Sequence, residues 1–559
     1  MKNSGPSQRV FPVVNFSHPR TVKLDTAHLQ KLATFLRRFV ESHDSVHPRL
    51  ILIVSPEEIR SSREQAEITE FETLISTIDG LSVKTAPIPG TAENEAAGRH
   101  TGKKAPMSSL LKTMEHHVGE GYSPESEELP PAVFHFWADA AFLNLQVNSE
   151  ILGLHETYLS EYVFAEGFPG GVSGVLVSRE IFPKLIQDAG ELPATRDGFF
   201  NVILKDINAY DIETVVSPAD LRMLRLELYR DRTLNSLICD SLSPFLNEHT
   251  TAEDLCAVIE ENRSAYRSLP AHIMLEISGS RRQHPSYLPS GGNDSVPESD
   301  ASAGDPTAAA EDVSVKNFRS ILDSIVKLVE DPVITLGARN EPALHRDFPG
   351  ILSAAAEYTD KVSFVIETSG IGWTPRAVEA LNGLPRESVN LIVCLDAVDP
   401  QLYAALRGSG YEEAMGFIDL CIRELNCGLY VQAVRMKDNE EHLMNFYNHW
   451  KGRDVEVIIQ KYNDFSQTLP DRKVTDLSPL NRHECWHLKR ELYIRLDGEV
   501  FACPNHALIP GEETFNFGNV YTDNMNSIWE AGRHLYLRHL EDDLPEVCRK
   551  CDEWYTFNF

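Results

Sequence analysis

The chain has 559 residues, 42% hydrophobic and 24% charged, which is ordinary for a globular protein but too long for one core; a prior of roughly 150 residues per domain suggests roughly three or four units. Its 83 acidic against 52 basic side chains leave a formal charge of −31, a balance that repels phosphate backbones and argues against nucleic acid as a partner. No apolar run approaches the ~20 residues needed to span a bilayer, and the opening MKNSGPSQRVFPVVNF lacks the apolar core of a secretory signal, so no membrane partner and a cytoplasmic location are expected.

The first 240 residues alternate strand-like runs, LILIVS, VFHFWAD and GVSGVLVS, with an amphipathic helix, TAHLQKLATFLRRFVESH. They read as a Rossmann-like α/β domain over residues 1–211. A polar stretch from Pro89 to Lys104 reads as a long loop. From Ile212 onward ADLRMLRLELYRD and AEDLCAVIEENRSAY turn helical, and residues 212–269 are expected to form a helical linker. Beyond Leu269 six β-runs (HIMLEIS, VITLG, VSFVIETSG, VNLIVCLDA, GLYVQAVRM and VEVIIQKYND) are separated by period-3.6 helices. That alternation argues for a parallel α/β sheet, and right-handed crossovers would curl it into a partial or complete (β/α)6 barrel over residues 270–470. Periodicity alone leaves a doubly wound open sheet as the alternative. Within the barrel segment, residues 289–312 include GGNDSVPESDASAGDPTAAAE, too poor in apolar surface to offset its ordering entropy, and are expected to be disordered. In DNEE, the acidic pair Glu440 and Glu441 reads as an ordinary helix start, where acids suit the dipole.

Residues 471–559 hold the most specific signal. Cys485 and Cys503 stand as C-x12-G-x4-C around Gly498, and Cys548 and Cys551 form a C-x-x-C in PEVCRKCDEW. A C-x-x-C places two thiolates on one turn, and a Gly-turned hairpin could bring two more to complete a four-ligand cage. Spacing leaves zinc and an iron-sulfur cluster both open, and His483, His487 or His506 could replace a thiolate. Cys239, Cys256, Cys394, Cys421 and Cys427 lack ligand spacing and read as small core hydrophobes. Trp486, Trp529 and Trp554 would give this small region a core.

From about Pro270 to the end, the chain resembles the radical S-adenosylmethionine proteins that carry a C-terminal SPASM or twitch domain. The likeness rests on VITLGARNEPALHRDF, ETSGIGW, LIVCLDAVDPQLYAALRG, the four tail cysteines with Gly498, and FGNVYTDNMNSIWEAGRH. It implies that Cys485, Cys503, Cys548 and Cys551 are both the metal ligands and the cofactor-binding residues of one 4Fe-4S cluster. Proteins of this kind place C-x3-C-x2-C after the first barrel strand to hold a second, S-adenosylmethionine-cleaving cluster. Here those positions are Arg281, Pro285 and Leu288, none of which ligates iron, so no S-adenosylmethionine chemistry and no catalytic residue are expected. The G-x-G-E-P loop of the family stands as ARNEP, Ala338 to Pro342; both glycines are lost, and Glu341 reads as a structural carboxylate.

The whole chain is similar to the group called spiro-SPASM proteins, whose N-terminal part resembles sugar-nucleotide cytidylyltransferases. The segment from FHFWADAAFL to GVSGVLVS carries that likeness, with Asp139 where those enzymes hold magnesium. The opening VVNFSHPRTVKL lacks their Gly-rich phosphate cradle, and FPGG, Phe168 to Gly171, reads as an ordinary turn. The expected architecture is therefore α/β throughout: a nucleotidyltransferase-type domain, a radical-type barrel and a SPASM tail over 471–559. The expected function is a cluster-binding scaffold or electron-transfer protein acting on a peptide, protein or sugar-linked partner. The alternative is a cytidylyl-type transferase using Asp139 and magnesium, fused to a zinc- or cluster-stabilised module.

Overall fold

The computed structural model describes residues 10–17, 22–54, 61–79, 81–88, 106–119, 132–190, 192–289, 312–337, 339–453, 455–509 and 515–556. The loop expected from Pro89 to Lys104, and residues 290–311 of the expected disordered insertion, lie outside these. The chain divides into two compact units, Met1–Tyr266 and Arg267–Phe559.

The first unit is built on a seven-stranded sheet of β1 (Val10–Asn15), β2 (Arg49–Val54), β3 (Ser82–Pro87), β4 (Ala132–Trp137), β5 (Tyr162–Glu166), β6 (Val175–Ser178) and β7 (Ile212–Val216), ordered β3-β2-β1-β4-β6-β5-β7. Strands β1 to β4 pair in parallel, β5 pairs in parallel with β7, and β6 runs antiparallel between β4 and β5. Side chains alternate across a strand, so a sheet covered on both faces needs apolar residues at every position. In β1, Val10 and Val14 enter one core while Phe11 and Val13 enter the other; in β2, Leu50, Leu52 and Val54 oppose Ile51 and Ile53.

Residues 212–269 do not form a linker. Strand β7 joins the sheet through five paired residues, and helices Thr233–Leu242 and Ala252–Glu261 bury Ile238, Leu242, Leu255 and Ile259 in the same core as Val10 and Leu50. Cys239 and Cys256 are buried there as small hydrophobes.

The second unit carries a nine-stranded sheet: β8 (His272–Leu275), β9 (Val333–Leu336), β10 (Ser363–Thr368), β11 (Val389–Cys394), β12 (Gly428–Arg435), β13 (Glu456–Lys461), β14 (Glu491–Ile494), β15 (Glu499–Phe501) and β16 (Asn516–Asn519). Its order is β13-β12-β11-β10-β9-β8-β14-β15-β16. Strands β8 to β13 are parallel and strictly sequential. A doubly wound sheet reverses its order at a switch point; this one does not. Nor does β8 pair with β13: its second edge carries β14, so the six strands form a partial barrel rather than a closed one.

That pairing also corrects the expected boundary at residue 471. The tail is not a separate compact body: β14 extends the barrel sheet in parallel, and β15 and β16 continue it antiparallel. Leu492 and Ile494 of β14 are buried at 1% and 0% exposure, so detaching the tail would expose part of the barrel's own core. Among the described residues no helix is long and apolar enough to cross a membrane.

Candidate metal centre

The tail hairpin sets the first thiol pair. Strands β14 and β15 are joined by a turn at Gly498, whose φ of +85° favours glycine. A Cβ there would lie 2.5 Å from the Tyr521 ring and 2.7 Å from Asn519 Oδ1. Cys485 stands immediately before the short helix Trp486–Arg490 that feeds β14, and Cys503 before helix Pro504–Leu508 after β15. The second pair lies on one turn, Cys548 in helix Glu546–Arg549 with its carbonyl accepting from the Cys551 N–H at 3.1 Å. Two contacts join the pairs: the Trp486 N–H donates to the Trp554 carbonyl at 2.9 Å, and Arg482 Nη2 donates to the Cys548 carbonyl at 2.7 Å.

All four thiols border one cavity of about 100 Å³, with Cys485 and Cys548 each 8% exposed and the other two half-buried. Among the described residues no three His, Cys, Asp or Glu side chains close on a single point, so the sulfurs frame a space rather than a one-ion cage. Burial, then the other thiols, pushes Cys551 up to about 12 and drives Cys503 and Cys548 in the same direction. A cationic group in the cavity would reverse that logic by binding the thiolate forms.

The surroundings suit such a group. The Asn505 amide and the Glu553 N–H donate to Cys551 Sγ at 3.4 and 3.3 Å, and His506 Nε2 lies 3.1 Å from Cys548 Sγ. Burial lowers His506 to about 4 and His539 to about 3, so both are neutral. His539 lines the cavity, is 6% exposed, and among the described residues neither ring nitrogen has a hydrogen-bond partner. A buried unpaired imidazole costs free energy, and the sequence RHLYLRHL gives no hint of it. Of the three histidines suggested by sequence, His506 is beside a thiol. His487 lines the cavity but is committed to Glu491 at 2.7 Å and the Glu553 carbonyl at 3.1 Å, and His483 packs against Trp554.

The barrel mouth holds a second cavity of about 210 Å³, bordered by Arg281, Pro285, Leu288, Glu341 and Glu367, and sharing Met274, Gln460, Asn463 and Pro504 with the thiol cavity. The loop carrying the three non-cysteine positions is pinned. Tyr287 donates to Asp396 Oδ2 at 2.5 Å, Arg407 Nη1 to the same oxygen at 2.6 Å, and Arg407 Nε to Gln283 at 3.0 Å. Glu341 accepts from Thr368 Oγ1 at 2.6 Å, from the Ser369 N–H at 2.7 Å and from the Ala343 N–H at 3.2 Å, the pattern of a structural carboxylate. Burial raises the acidic groups Glu341 and Glu367 above their usual range. Cys394, expected in the core, lines this cavity instead.

Asp139 follows β4 and is fully buried. Its two oxygens accept from Arg196 Nη1 and Nη2 at 3.1 and 2.8 Å, and Nη2 also reaches Asp231 Oδ2 at 3.1 Å. The guanidinium lies 3.4 Å from the Tyr229 ring centre. A guanidinium therefore holds the carboxylate that a magnesium site would need. Gly171, φ +91°, lies where a Cβ would meet the Leu228 carbonyl at 2.1 Å, so FPGG is a tight turn against that strand-like segment.

Residues 485–552 match the family model of the SPASM domain, described as an iron-sulfur cluster-binding domain. An uncharacterized protein of Treponema pallidum (strain Nichols) is 32% identical over 381 residues, covering 64% of this chain and 98% of its own length. A second uncharacterized protein of that organism is 39% identical over 71 residues, 12% of this chain and 32% of its own. Among solved structures, Streptococcus suis SuiB bound to precursor peptide SuiA covers 59% of this chain and 77% of its own at 14% identity and a TM-score of 0.38. BtrN in complex with AdoMet and 2-DOIA covers 51% and 93% at 12% identity and a TM-score of 0.30. Both likenesses are remote.

Proposed function

The chain belongs to the same family as the Treponema pallidum protein that it matches over nearly that protein's whole length, and we propose that it is an iron-sulfur protein of radical-S-adenosylmethionine ancestry that retains the tail cluster and has lost the cofactor-cleaving one. The observation that carries this reading is the convergence of Cys485, Cys503, Cys548 and Cys551 on one cavity inside a segment that matches a cluster-binding domain.

These four residues would hold one 4Fe-4S cluster, which with four thiolate ligands offers no open iron and supplies electron transfer or structural support. The chain's own part is to tune and shelter that site. N–H donors from Asn505 and Glu553 aim at Cys551 Sγ, and such donors stabilise thiolate charge. The hairpin turn at Gly498 and the Arg482 contact would help to position the two thiol pairs.

Loss of the second cluster is supported by Arg281, Pro285 and Leu288, which offer no soft ligand; the Gln283–Arg407 and Tyr287–Asp396 bonds anchor their loop. The barrel then serves as a binding scaffold for a peptide, protein or sugar-linked partner beside the cluster. The transferase alternative is weaker, since Asp139 is already bonded at two points by Arg196. The test is anaerobic: the reduced, reconstituted protein should bind iron yet leave S-adenosylmethionine intact, and reductive cleavage of that cofactor at an enzymatic rate would overturn the reading.

A further inference from the structure

A cavity of about 460 Å³ in the first unit lies beside helix Thr26–Ser42; its lining reaches Ala140 and Ala141, next to Asp139 in sequence, but includes neither Asp139 nor Arg196. Its volume falls within the range of small-molecule sites. One part of the wall is apolar, formed by Leu32 and Phe35 from the helix, Phe142 and Leu145 from the segment entering helix Leu145–Tyr158, and Leu246 and Leu255; polar side chains such as Thr34, Asn144 and Thr250 complete the lining. Leu32, Phe35 and Leu255 are 3%, 8% and 2% exposed, so the lining belongs to a packed core and not to a loose surface.

The mouth carries two cations. Lys31 and Arg38 stand seven residues apart, two turns on one face of the helix, roughly 10 Å along its axis. Lys31 Nζ donates to Ser243 Oγ at 2.9 Å, and Arg38 donates to the Glu248 carbonyl and meets His249 Nδ1 at 3.5 Å. Among the described residues neither has a carboxylate within ion-pair distance, in a chain of net charge −31. The adjacent Arg37, which does not line the cavity, pairs with Glu41 at 4.0 Å. The one acid at the mouth, Glu248, turns its carboxylate toward His249 at 3.9 Å. Ammonium and guanidinium groups offer three and five donors, so both cations keep N–H groups for an oxyanion.

We propose that this cavity binds an amphipathic anion: an alkyl or aryl body of roughly ten carbons within the apolar walls, and a carboxylate or phosphate head between Lys31 and Arg38. A chamber with an apolar wall, capped by cations without acidic partners, is complementary to that chemistry, less so to a neutral amphiphile, and not to a cationic one.

The test uses calorimetry on the full chain at low salt, with decanoate, decyl phosphate, decanol, decyltrimethylammonium and acetate as probes. Saturable one-site binding is expected for decanoate or decyl phosphate, weaker binding for decanol, and none for the cationic chain or acetate. The tighter of the two anions identifies the head group. The double variant Lys31→Gln, Arg38→Gln, altered only at the cavity mouth, should weaken the better anion about tenfold, as loss of two exposed charge contacts implies, and leave decanol unchanged. Ala141→Phe, which narrows the chamber, should weaken anion and alcohol alike. Equal binding of decanol and decanoate, anion binding indifferent to the double variant, or no saturable binding of either anion would overturn the proposal.

Discussion

Arg482 donates to the carbonyl of Cys548 at 2.7 Å, and its second amine reaches the Cys551 carbonyl at 3.4 Å, so one guanidinium grips both ends of the C-x-x-C turn from 66 residues away in sequence. The thiol pair is thus held by its backbone and not by the sulfurs themselves. Arg482→Met removes both donors while keeping much of the apolar stem. A charge-assisted hydrogen bond of this kind contributes about 1.5–3 kcal/mol, so decay of the visible chromophore in air is expected to accelerate roughly tenfold with the secondary structure unchanged. An unaltered decay rate would show that the turn needs no anchor.

The buried pair of Asp139 and Arg196 makes a stability prediction in the first unit. Asp139→Asn would take the charged partner that bonds it at two points from the guanidinium, which is 12% exposed in its side chain, and leave Asp231 as an acidic neighbour. Breaking a buried pair by removing one partner costs about 3–5 kcal/mol. Urea unfolding should show that loss in the transition of the first unit, and a change below about 1 kcal/mol would mean that solvent already screens the pair.

The same unit should be acid-sensitive through two histidines. Burial lowers His28 to about 4 and His135 to about 3; His28 Nε2 donates to the Ala138 carbonyl at 2.8 Å, and His135 Nε2 accepts from the Asn15 amide at 3.2 Å. Both are neutral when folded. In the unfolded chain an imidazole binds its proton near pH 6.5, so below that the unfolded state holds more protons and stability falls with pH. By pH 5 each histidine should cost about 2 kcal/mol, with further loss toward its folded value. His28→Gln should flatten the pH dependence between 7 and 5 by about that amount; a slope equal to the parent's would exclude His28 as a contributor.

What could be read from sequence, and what could not, follows from the range of the forces involved. The thiol tetrad was legible because coordination chemistry fixes ligand type and local spacing, and the Gly498 turn because left-handed backbone favours one residue. The six parallel strands were legible from apolar runs, five of them buried in the sheet and β13 carrying Val457, Ile458 and Ile459 without a buried position. Strand β7, Ile212–Val216, was missed because an edge strand with one buried position in five has no such run. Pairing of β14 with β8 joins residues more than 200 apart, and the Asp139–Arg196 bond spans 57, so neither leaves a local pattern. His539 beside the thiols was hidden for the same reason: its helix looks like an ordinary surface helix, and only the fold turns that residue inward.

The chain is expected to carry one cluster on its four tail thiolates and none at the barrel mouth. Iron, acid-labile sulfide and zinc per chain, measured after anaerobic purification and reconstitution, test it most directly. About four irons and about four sulfides with negligible zinc are expected, all lost in the double variant Cys548→Ser, Cys551→Ser. A chain free of iron and sulfide, one holding a single equivalent of zinc, or one holding about eight irons would contradict it.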